Sequence, residues 1–207
     1  MTDKPILFSG DMVRALLAGS KTQTRRVITK QAAHDALATF GPEFLRLPGN
    51  RDLLPINVVP GDRLWVRETH ALTNKHAYRL SVGVDQRVNP ANDYDAAVYR
   101  ACFDRSTGGL RWRPSIHMPR WASRLTLTVT GIQVERLQGI SREDAVAEGC
   151  PGFVSQNGED GEAPEEAFRT LWDSLNKDRG FGWTANPWVV AYTFTVSSQN
   201  IDAAQAA

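Results

Sequence analysis

The clearest restriction on the fold of this chain comes from the segment RLTLTVTGIQVERL, residues 124–137. From Leu125 to Thr130, leucine or valine alternates with threonine. A period of two places successive side chains on opposite faces of an extended strand, so one face is apolar and the other is polar. The segment therefore predicts a long β-strand with one buried face.

Other segments have strand or helix character and extend this β-rich pattern. Five further strands are predicted at PILFSG (5–10), TQTRRVI (22–28), RLWVRET (63–69), DAAVYRAC (95–102) and PWVVAYTFTV (187–196). Helices are predicted after Asp11, near residues 31–37, at SREDAVAEG (141–149) and at PEEAFRTLWDSLN (164–176). Five or six mostly antiparallel strands with few helices predict a mixed α+β fold, a small closed or half-closed β-barrel with helices against its openings.

The length of 207 residues fits one domain with insertions better than two domains. We predict a single domain over residues 1–198, with irregular insertions at about 31–60 and 70–123. The segment 70–95 is interpreted as a long loop. The final stretch, residues 199–207, is predicted to be a flexible tail.

The formal net charge is only +1, so no overall field draws the chain onto nucleic acid or a membrane. The charge is nevertheless uneven along the chain. Residues 100–124 hold six arginines against one aspartate, whereas residues 135–179 hold eleven acidic against five basic residues. The basic segment predicts a positive patch, unless the two segments lie together in the fold and cancel.

Cysteine, histidine and hydropathy patterns place further limits on function. The two cysteines, Cys102 and Cys150, form no C-x-x-C motif, and the four histidines are scattered, so neither a metal site nor a cofactor is expected. The amino terminus lacks an apolar run long enough for a signal peptide, and no stretch is long enough to span a bilayer. We therefore expect a reduced, cytoplasmic protein without membrane contact. The sequence does not indicate an oligomeric state.

The polar run KTQTRR, residues 21–26, is the strongest candidate for a functional site. It follows a predicted helix end and enters a predicted strand, so it is either a solvated strand edge or one wall of a site. Strand alternation places Thr22, Thr24 and Arg26 on one face and Arg25 on the other.

Three motifs in order resemble the ASCH domain family, whose β-barrel fold is related to the PUA RNA-binding domain. The family motif G-x-K-T-x-T-x-R is matched by Gly19, Lys21, Thr22, Thr24 and Arg26. A second motif, Gly-Asp before a strand, is matched by Gly61 and Asp62, and a third, a short acidic helix ending in Glu, is matched by Glu148. The chain is similar to long versions of the family that occur among phage and prophage proteins.

The resemblance implies an enzymatic activity, because some members of the family are amidohydrolases that act on N4-acetylcytidine. By motif, their catalytic lysine, threonine and glutamate correspond to Lys21, Thr24 and Glu148. Amide hydrolysis needs a nucleophile, a base and an acid for the leaving amine. Thr24 offers a hydroxyl, and Lys21 is a base only if burial or nearby cations lower its pKa. Glu148 would transfer the proton to the cytosine amine or orient a water molecule.

The remaining residues of this predicted pocket are assigned to substrate binding. They are Thr22, Arg25, Arg26, Glu68 and Trp65. Glu68 has an alternative interpretation, a salt bridge at the strand end with Arg67 or Arg63. Lys21 and Glu148 also have ordinary explanations, since a lysine is favoured near a helix carboxyl end and a helix glutamate is usually solvated.

A second group of residues predicts contact with single-stranded RNA or DNA. The group consists of Arg111, Trp112, Arg113, His117, Arg120 and Trp121. Arginine neutralises phosphates and tryptophan stacks on unpaired bases. The alternative is that the tryptophans pack against the core and the arginines pair with acidic residues. Two functions therefore stand beside the hydrolase: a non-catalytic nucleic-acid-binding module and a metal-independent ribonuclease. The expected partner is a modified nucleoside or a single-stranded nucleic acid.

Overall fold

The structure is a computed structural model that describes residues 2–92, 94–104, 109–153 and 161–203. Its strands are β1 (Asp3–Leu7), β2 (Gln23–Val27), β3 (Arg63–Arg67), β4 (His70–Asn74), β5 (Gln86–Val88), β6 (Asp95–Tyr99), β7 (Thr126–Arg136) and β8 (Trp188–Ser197). Its helices are α1 (Gly10–Leu17), α2 (Gln31–Phe40), α3 (Pro42–Arg46), α4 (Arg142–Ala147) and α5 (Pro164–Asn176). The predicted mixed α+β class is confirmed.

The strands form two sheets. The larger has the order β1-β3-β7-β8-β2, and the smaller has the order β4-β6-β5. β1 and β3 run parallel, while the other pairings with a defined register are antiparallel. Among the described strands the larger sheet is open, with β1 and β2 at its edges, so it is not a closed barrel. The half-closed form of the predicted barrel stays a prediction.

The chain divides into two compact units, and β7 and β8 contribute residues to both. The first unit comprises Met1–Gly19, Asp62–Thr128 and Val196–Ala207, and the second comprises Ser20–Gly61 and Val129–Thr195. The single domain over 1–198 stays a prediction.

In the first unit, part of the segment 70–95, interpreted above as a loop, is a small sheet. β4 pairs with β6 over five residues, and β5 pairs with the other edge of β6. The sequences HALTN and QRV are too short and too polar to show a period-two pattern, which is why strand character was not predicted there. Behind this sheet, Ala97, Tyr99, Met118 and Ala122 form a buried core.

The predicted tail makes defined contacts in the same unit. Ile201 is fully buried, and the side-chain amide of Asn200 donates to the main-chain oxygens of Arg120, Trp121 and Ser123 at 2.9, 3.3 and 2.8 Å. Residues 204–207 lie outside the described part of the chain, as does Arg105 of the basic segment.

The second unit contains the helices that the sequence predicted best. α5 spans the predicted segment 164–176, and α4 begins after Ser141, whose hydroxyl oxygen accepts a hydrogen bond from Asp144 N at 3.1 Å. The apolar sides of both helices pack on β2 and β8. The buried residues of this core are Val27, Leu137, Ile140, Ala145, Cys150, Phe168, Trp172 and Val189.

Among the described helices, none has the length and apolar character that a membrane span requires.

Candidate functional site

The second unit brings Lys21 and Glu148 into direct contact, as the motif resemblance implies. Lys21 Nζ lies 2.7 Å from Glu148 Oε2 and 2.7 Å from the main-chain oxygen of the same residue. The two residues also form an isolated antiparallel bridge. Next to them, Thr22 N donates to Ala147 O at 2.8 Å, and Thr22 O accepts from Phe194 N at 2.9 Å.

Helix α4 places Glu148 at this point. Ser141 caps the first turn of the helix, and Glu148 is the carboxyl-terminal cap residue. Gly149 follows with φ 88°, a left-handed conformation that glycine adopts at little cost, so the chain turns away immediately after Glu148. The glutamate side chain is thus held at a fixed helix end and is 4% exposed.

Burial lowers the pKa of Lys21. Its side chain is fully buried, and the loss of hydration lowers the pKa of the amine below its usual value, which the carboxylate of Glu148 opposes. The positive charge of Arg26 lowers the pKa of Lys21 further. These effects together move the Lys21 amine toward its neutral form.

Thr24 lies on β2 opposite Tyr192 of β8 and is 1% exposed. Arg26 NH1 donates to Thr24 Oγ1 at 3.2 Å, so the two side chains lie on one face of the strand, as predicted. A guanidinium that donates to a hydroxyl oxygen favours the deprotonated form of the hydroxyl. Arg26 thus connects Thr24 with the Lys21–Glu148 pair through its charge.

Arg25 contacts acidic residues on the other face of β2. Its guanidinium donates to Glu135 Oε1 at 2.7 Å, to Asp144 Oδ2 at 2.8 Å and to Glu148 Oε1 at 3.3 Å. Arg25 is 3% exposed, and its guanidinium also lies 5.8 Å from the centre of the Phe168 ring. These contacts make Arg25 a residue that positions Glu148, whereas the sequence assigned it to substrate binding. Thr22 of the same motif is exposed.

Tyr192 was not predicted as part of the site. Its hydroxyl donates to Ile56 O at 2.9 Å and accepts from Ile56 N at 3.1 Å, and the tyrosine is fully buried. Burial raises the pKa of the phenol, while the nearby charge of Arg26 opposes this rise. Tyr192 can be connected with the site only through its pairing with Thr24, on a strand that is distant in sequence. That pairing follows from the register of the sheet, which the sequence does not show.

Glu68 and Trp65 belong to the first unit. Glu68 is 1% exposed and pairs with Arg124, with Nε to Oε1 at 2.9 Å and NH2 to Oε2 at 3.0 Å, and not with Arg67 or Arg63 as the alternative supposed. Arg67 instead lies over the ring of Trp65 at 5.3 Å. Glu68 also lines a cavity of about 530 Å³ together with Arg14, Arg100, Cys102 and Asp104, among others.

The predicted nucleic-acid-binding group is divided by the structure of the first unit. Four of its members, Arg111, Trp112, Arg113 and His117, line a cavity of about 540 Å³ together with Pro114. The indole of Trp112 packs edge to face on Phe103 at 5.3 Å, with the guanidinium of Arg100 5.5 Å from its ring centre. Among the described residues, the indole nitrogen of Trp112 has no hydrogen-bond acceptor.

The other two members of the group have structural contacts. Arg120 pairs with Asp3 at 2.5 Å and with Asp202 at 2.8 Å, and Trp121 packs against the core around Tyr99. These contacts match the alternative stated from the sequence, in which the tryptophans pack against the core and the arginines pair with acidic residues.

Comparison with known proteins gives no match for the chain among protein-family models, curated proteins or solved structures. The resemblance to the ASCH family therefore stays a prediction that depends on the motif residues.

Proposed function

We propose that this chain is an amidohydrolase of the ASCH type that removes the acyl group from an N4-acylated cytidine, with Lys21, Thr24 and Glu148 as catalytic residues. The observation that carries the proposal is the buried contact of 2.7 Å between Lys21 Nζ and Glu148 Oε2. Burying a lysine and a glutamate costs hydration energy, and perturbed buried pairs of this kind concentrate at sites that transfer protons. In the same proposal, the five-stranded sheet corresponds to the strands of a PUA-like barrel.

Lys21 acts as the base in the proposed reaction. An amine accepts a proton only when it is neutral, and burial lowers the pKa of Lys21 toward that state. Glu148 holds Nζ in place through two of its oxygen atoms, one on the side chain and one on the main chain. The contacts of Arg25 with Glu148 and Asp144 fix this carboxylate in turn.

Thr24 supplies the nucleophile. Its Oγ1 forms a bond to the acyl carbonyl carbon while its proton passes to the Lys21 amine, and the guanidinium of Arg26 stabilises the charge on Oγ1. The carbon–N4 bond then breaks, and N4 takes a proton from the Lys21–Glu148 pair and leaves as the amine of cytidine. Water hydrolyses the acyl-threonine ester, which releases the carboxylic acid and restores the hydroxyl.

The buried position of Thr24 sets a condition on this reaction, because the acyl group has to reach an oxygen on a residue that is 1% exposed. The segment around Ile56 is held over β8 by the hydroxyl of Tyr192, whose register partner is Thr24. We place the entrance at this segment, so that movement of the Ile56 region admits the substrate.

The experiment that tests the proposal is chromatographic conversion of N4-acetylcytidine to cytidine by the purified protein. Three variants remove one role each with little change of shape: Lys21→Met, Thr24→Val and Glu148→Gln. Thr195→Val is the matched control, since Thr195 is an exposed threonine on β8 of the same unit. We expect Lys21→Met and Thr24→Val to lose at least about a hundredfold in rate, whereas Thr195→Val keeps its activity.

Two outcomes would contradict the proposal. A folded wild-type protein that releases no cytidine is not an N4-acetylcytidine amidohydrolase. Conversion that survives Thr24→Val and Lys21→Met would remove these residues from the reaction. Incubation of the same preparations with single-stranded RNA in the presence of a chelator tests the ribonuclease hypothesis separately.

A further inference from the structure

The cavity lined by Arg111, Trp112, Arg113 and His117 is a second candidate site, in the first unit, and the hydrolase mechanism does not use it. It measures about 540 Å³, within the range of pockets that hold a ligand of nucleotide size. The described residues that line it carry two guanidinium groups and an imidazole, and no carboxylate. The chemistry of the lining therefore selects for an anion.

The arginines of this cavity are available to a ligand. Arg111 and Arg113 are exposed, and within the described ranges neither guanidinium forms an ion pair with a carboxylate. This distinguishes them from Arg120 and Arg124 of the same basic segment, which pair with Asp202 and Glu68. The main chain of Arg113 is fixed by two hydrogen bonds with His70, from Arg113 N to His70 O at 2.8 Å and from His70 N to Arg113 O at 3.2 Å.

Trp112 forms a fixed part of the cavity wall. Phe103 packs on its ring at 5.3 Å, and the guanidinium of Arg100 lies 5.5 Å from the ring centre. The indole nitrogen is inaccessible to solvent, so in this position its N–H does not donate to a ligand in the cavity. The indole resonance of Trp112 can therefore report on a ligand at this wall.

We propose that this cavity binds a phosphate group, with the guanidinium groups of Arg111 and Arg113 as donors. Arginine presents paired N–H groups that match the oxygens of a phosphate, and both residues line one concave surface. The packing of Trp112 on Phe103 and Arg100 makes its ring part of the cavity wall. The phosphate belongs either to the backbone of a single-stranded RNA or to a free nucleotide. The proposal does not depend on the hydrolase activity.

The first arm of the test measures RNA binding by fluorescence anisotropy, using a labelled oligouridylate of about 12 nucleotides. Arg111→Ala/Arg113→Ala is compared with Arg142→Ala/Arg169→Ala, which removes the same charge from exposed positions of the second unit. We expect the cavity variant to bind at least about tenfold more weakly. The slope of log affinity against log salt should fall by about 1.4, since each contact to single-stranded phosphate contributes about 0.7. The control should keep both values.

The second arm measures the indole N–H resonances of the tryptophans by NMR while inorganic phosphate or cytidine monophosphate is added. Trp112→Phe identifies the resonance of Trp112 and keeps an aromatic ring beside Phe103. We expect this resonance to move on titration in the wild type, and not in Arg111→Ala/Arg113→Ala. A response to the free phosphates without RNA binding identifies the free nucleotide as the source.

Two results would overturn the proposal. One is equal loss of RNA binding in the cavity variant and in the control, which would mean that only total charge matters. The other is a Trp112 resonance that responds to neither RNA nor phosphate. Lys21→Met should bind RNA and phosphate like the wild type whether or not it hydrolyses N4-acetylcytidine, so failure of one proposal is distinguishable from failure of the other.

Discussion

Lys21 Nζ contacts Glu148 twice, at 2.7 Å to the side-chain oxygen Oε2 and at 2.7 Å to the main-chain oxygen. The other carboxylate oxygen accepts from Arg25 at 3.3 Å. Glu148 is thus the shared partner of two buried basic side chains in the second unit. Its removal takes the carboxylate from both, and losing one partner of a buried pair is more costly than losing the whole pair.

Glu148→Gln is expected to lower the free energy of unfolding by about 3 kcal/mol, because the Lys21 amine loses its carboxylate in a buried position. In a Lys21→Met background the same change should cost less, with a coupling energy above about 1 kcal/mol. Urea unfolding of the wild type, both single variants and the double variant measures the coupling. Glu143→Gln, an exposed change on the same helix, is the control and should stay within about 0.5 kcal/mol. Additive effects would show that the contact contributes little.

In the first unit, Arg124 compensates the charge of the buried carboxylate of Glu68. Besides its two hydrogen bonds to Glu68, it donates to Asp85 Oδ2 at 2.6 Å and lies 4.1 Å from the centre of the Tyr99 ring. Arg124→Met should lower the free energy of unfolding by about 3–5 kcal/mol at neutral pH, since it leaves a buried carboxylate unpaired. Arg79→Met, at an exposed arginine, should be nearly neutral.

The loss in Arg124→Met should depend on pH. Burial already raises the pKa of Glu68, and the loss of the guanidinium raises it further. A carboxyl with a raised pKa in the folded state stabilises that state when protonated, and the contribution disappears as pH rises. Urea unfolding on both sides of neutrality should therefore show a smaller difference from wild type in mild acid. A difference independent of pH would indicate that lost packing on Tyr99 dominates.

We expect His70 to give the wild-type protein a further pH dependence of its free energy of unfolding. It is fully buried, its Nδ1 lies 3.3 Å from Glu68 O, and burial lowers its pKa, with the charges of Arg113, Arg67 and His117 acting in the same direction. The unfolded chain then binds a proton on His70 that the folded chain does not. Its contribution to stability should be complete above about pH 6.5, the unfolded value, and should decrease as pH falls below it.

The measurement is urea unfolding at several pH values between about 7.5 and 5. His70→Gln should reduce the slope of the unfolding free energy against pH in that window, whereas His76→Gln, at an exposed histidine, should not. An NMR titration of the His70 ring gives its folded pKa directly. A value at or above that of an exposed histidine would contradict the prediction.

Tyr192→Phe tests the attachment of the Ile56 segment. The change removes two hydrogen bonds to the main chain of Ile56 and keeps the buried ring. We expect the free energy of unfolding to fall by about 1–3 kcal/mol, because the backbone groups of Ile56 lose their partner. Limited proteolysis should become faster between residues 42 and 58, as mapped by mass spectrometry. Phe194 lies two residues further along β8 and is also buried, so Phe194→Leu is a packing control that should not direct cleavage to this segment.

The amino-acid sequence by itself determined the elements whose signals are local. Three examples are the threonine alternation in β7, the cap at Ser141 and the apolar side of α5. Each signal is contained within a few neighbouring residues, and the corresponding element is present. β4 and β5 were missed, because strands of five and three residues with polar side chains are stabilised by pairing with β6 and leave no periodic pattern.

Only the tertiary structure decided which charged residues are partners. The motif assigned Lys21, Thr24 and Glu148 to one site, but Lys21 and Glu148 are 127 positions apart in the sequence. They meet through the bridge next to β2, which no local spacing encodes. For the same reason the contacts of Arg25 with Glu135 and Asp144 could not be predicted from its place in the motif. Within one basic segment, Arg124 is paired and Arg113 is exposed. The residue type is the same in both cases, and the difference arises from burial and from neighbours that the folded chain brings together.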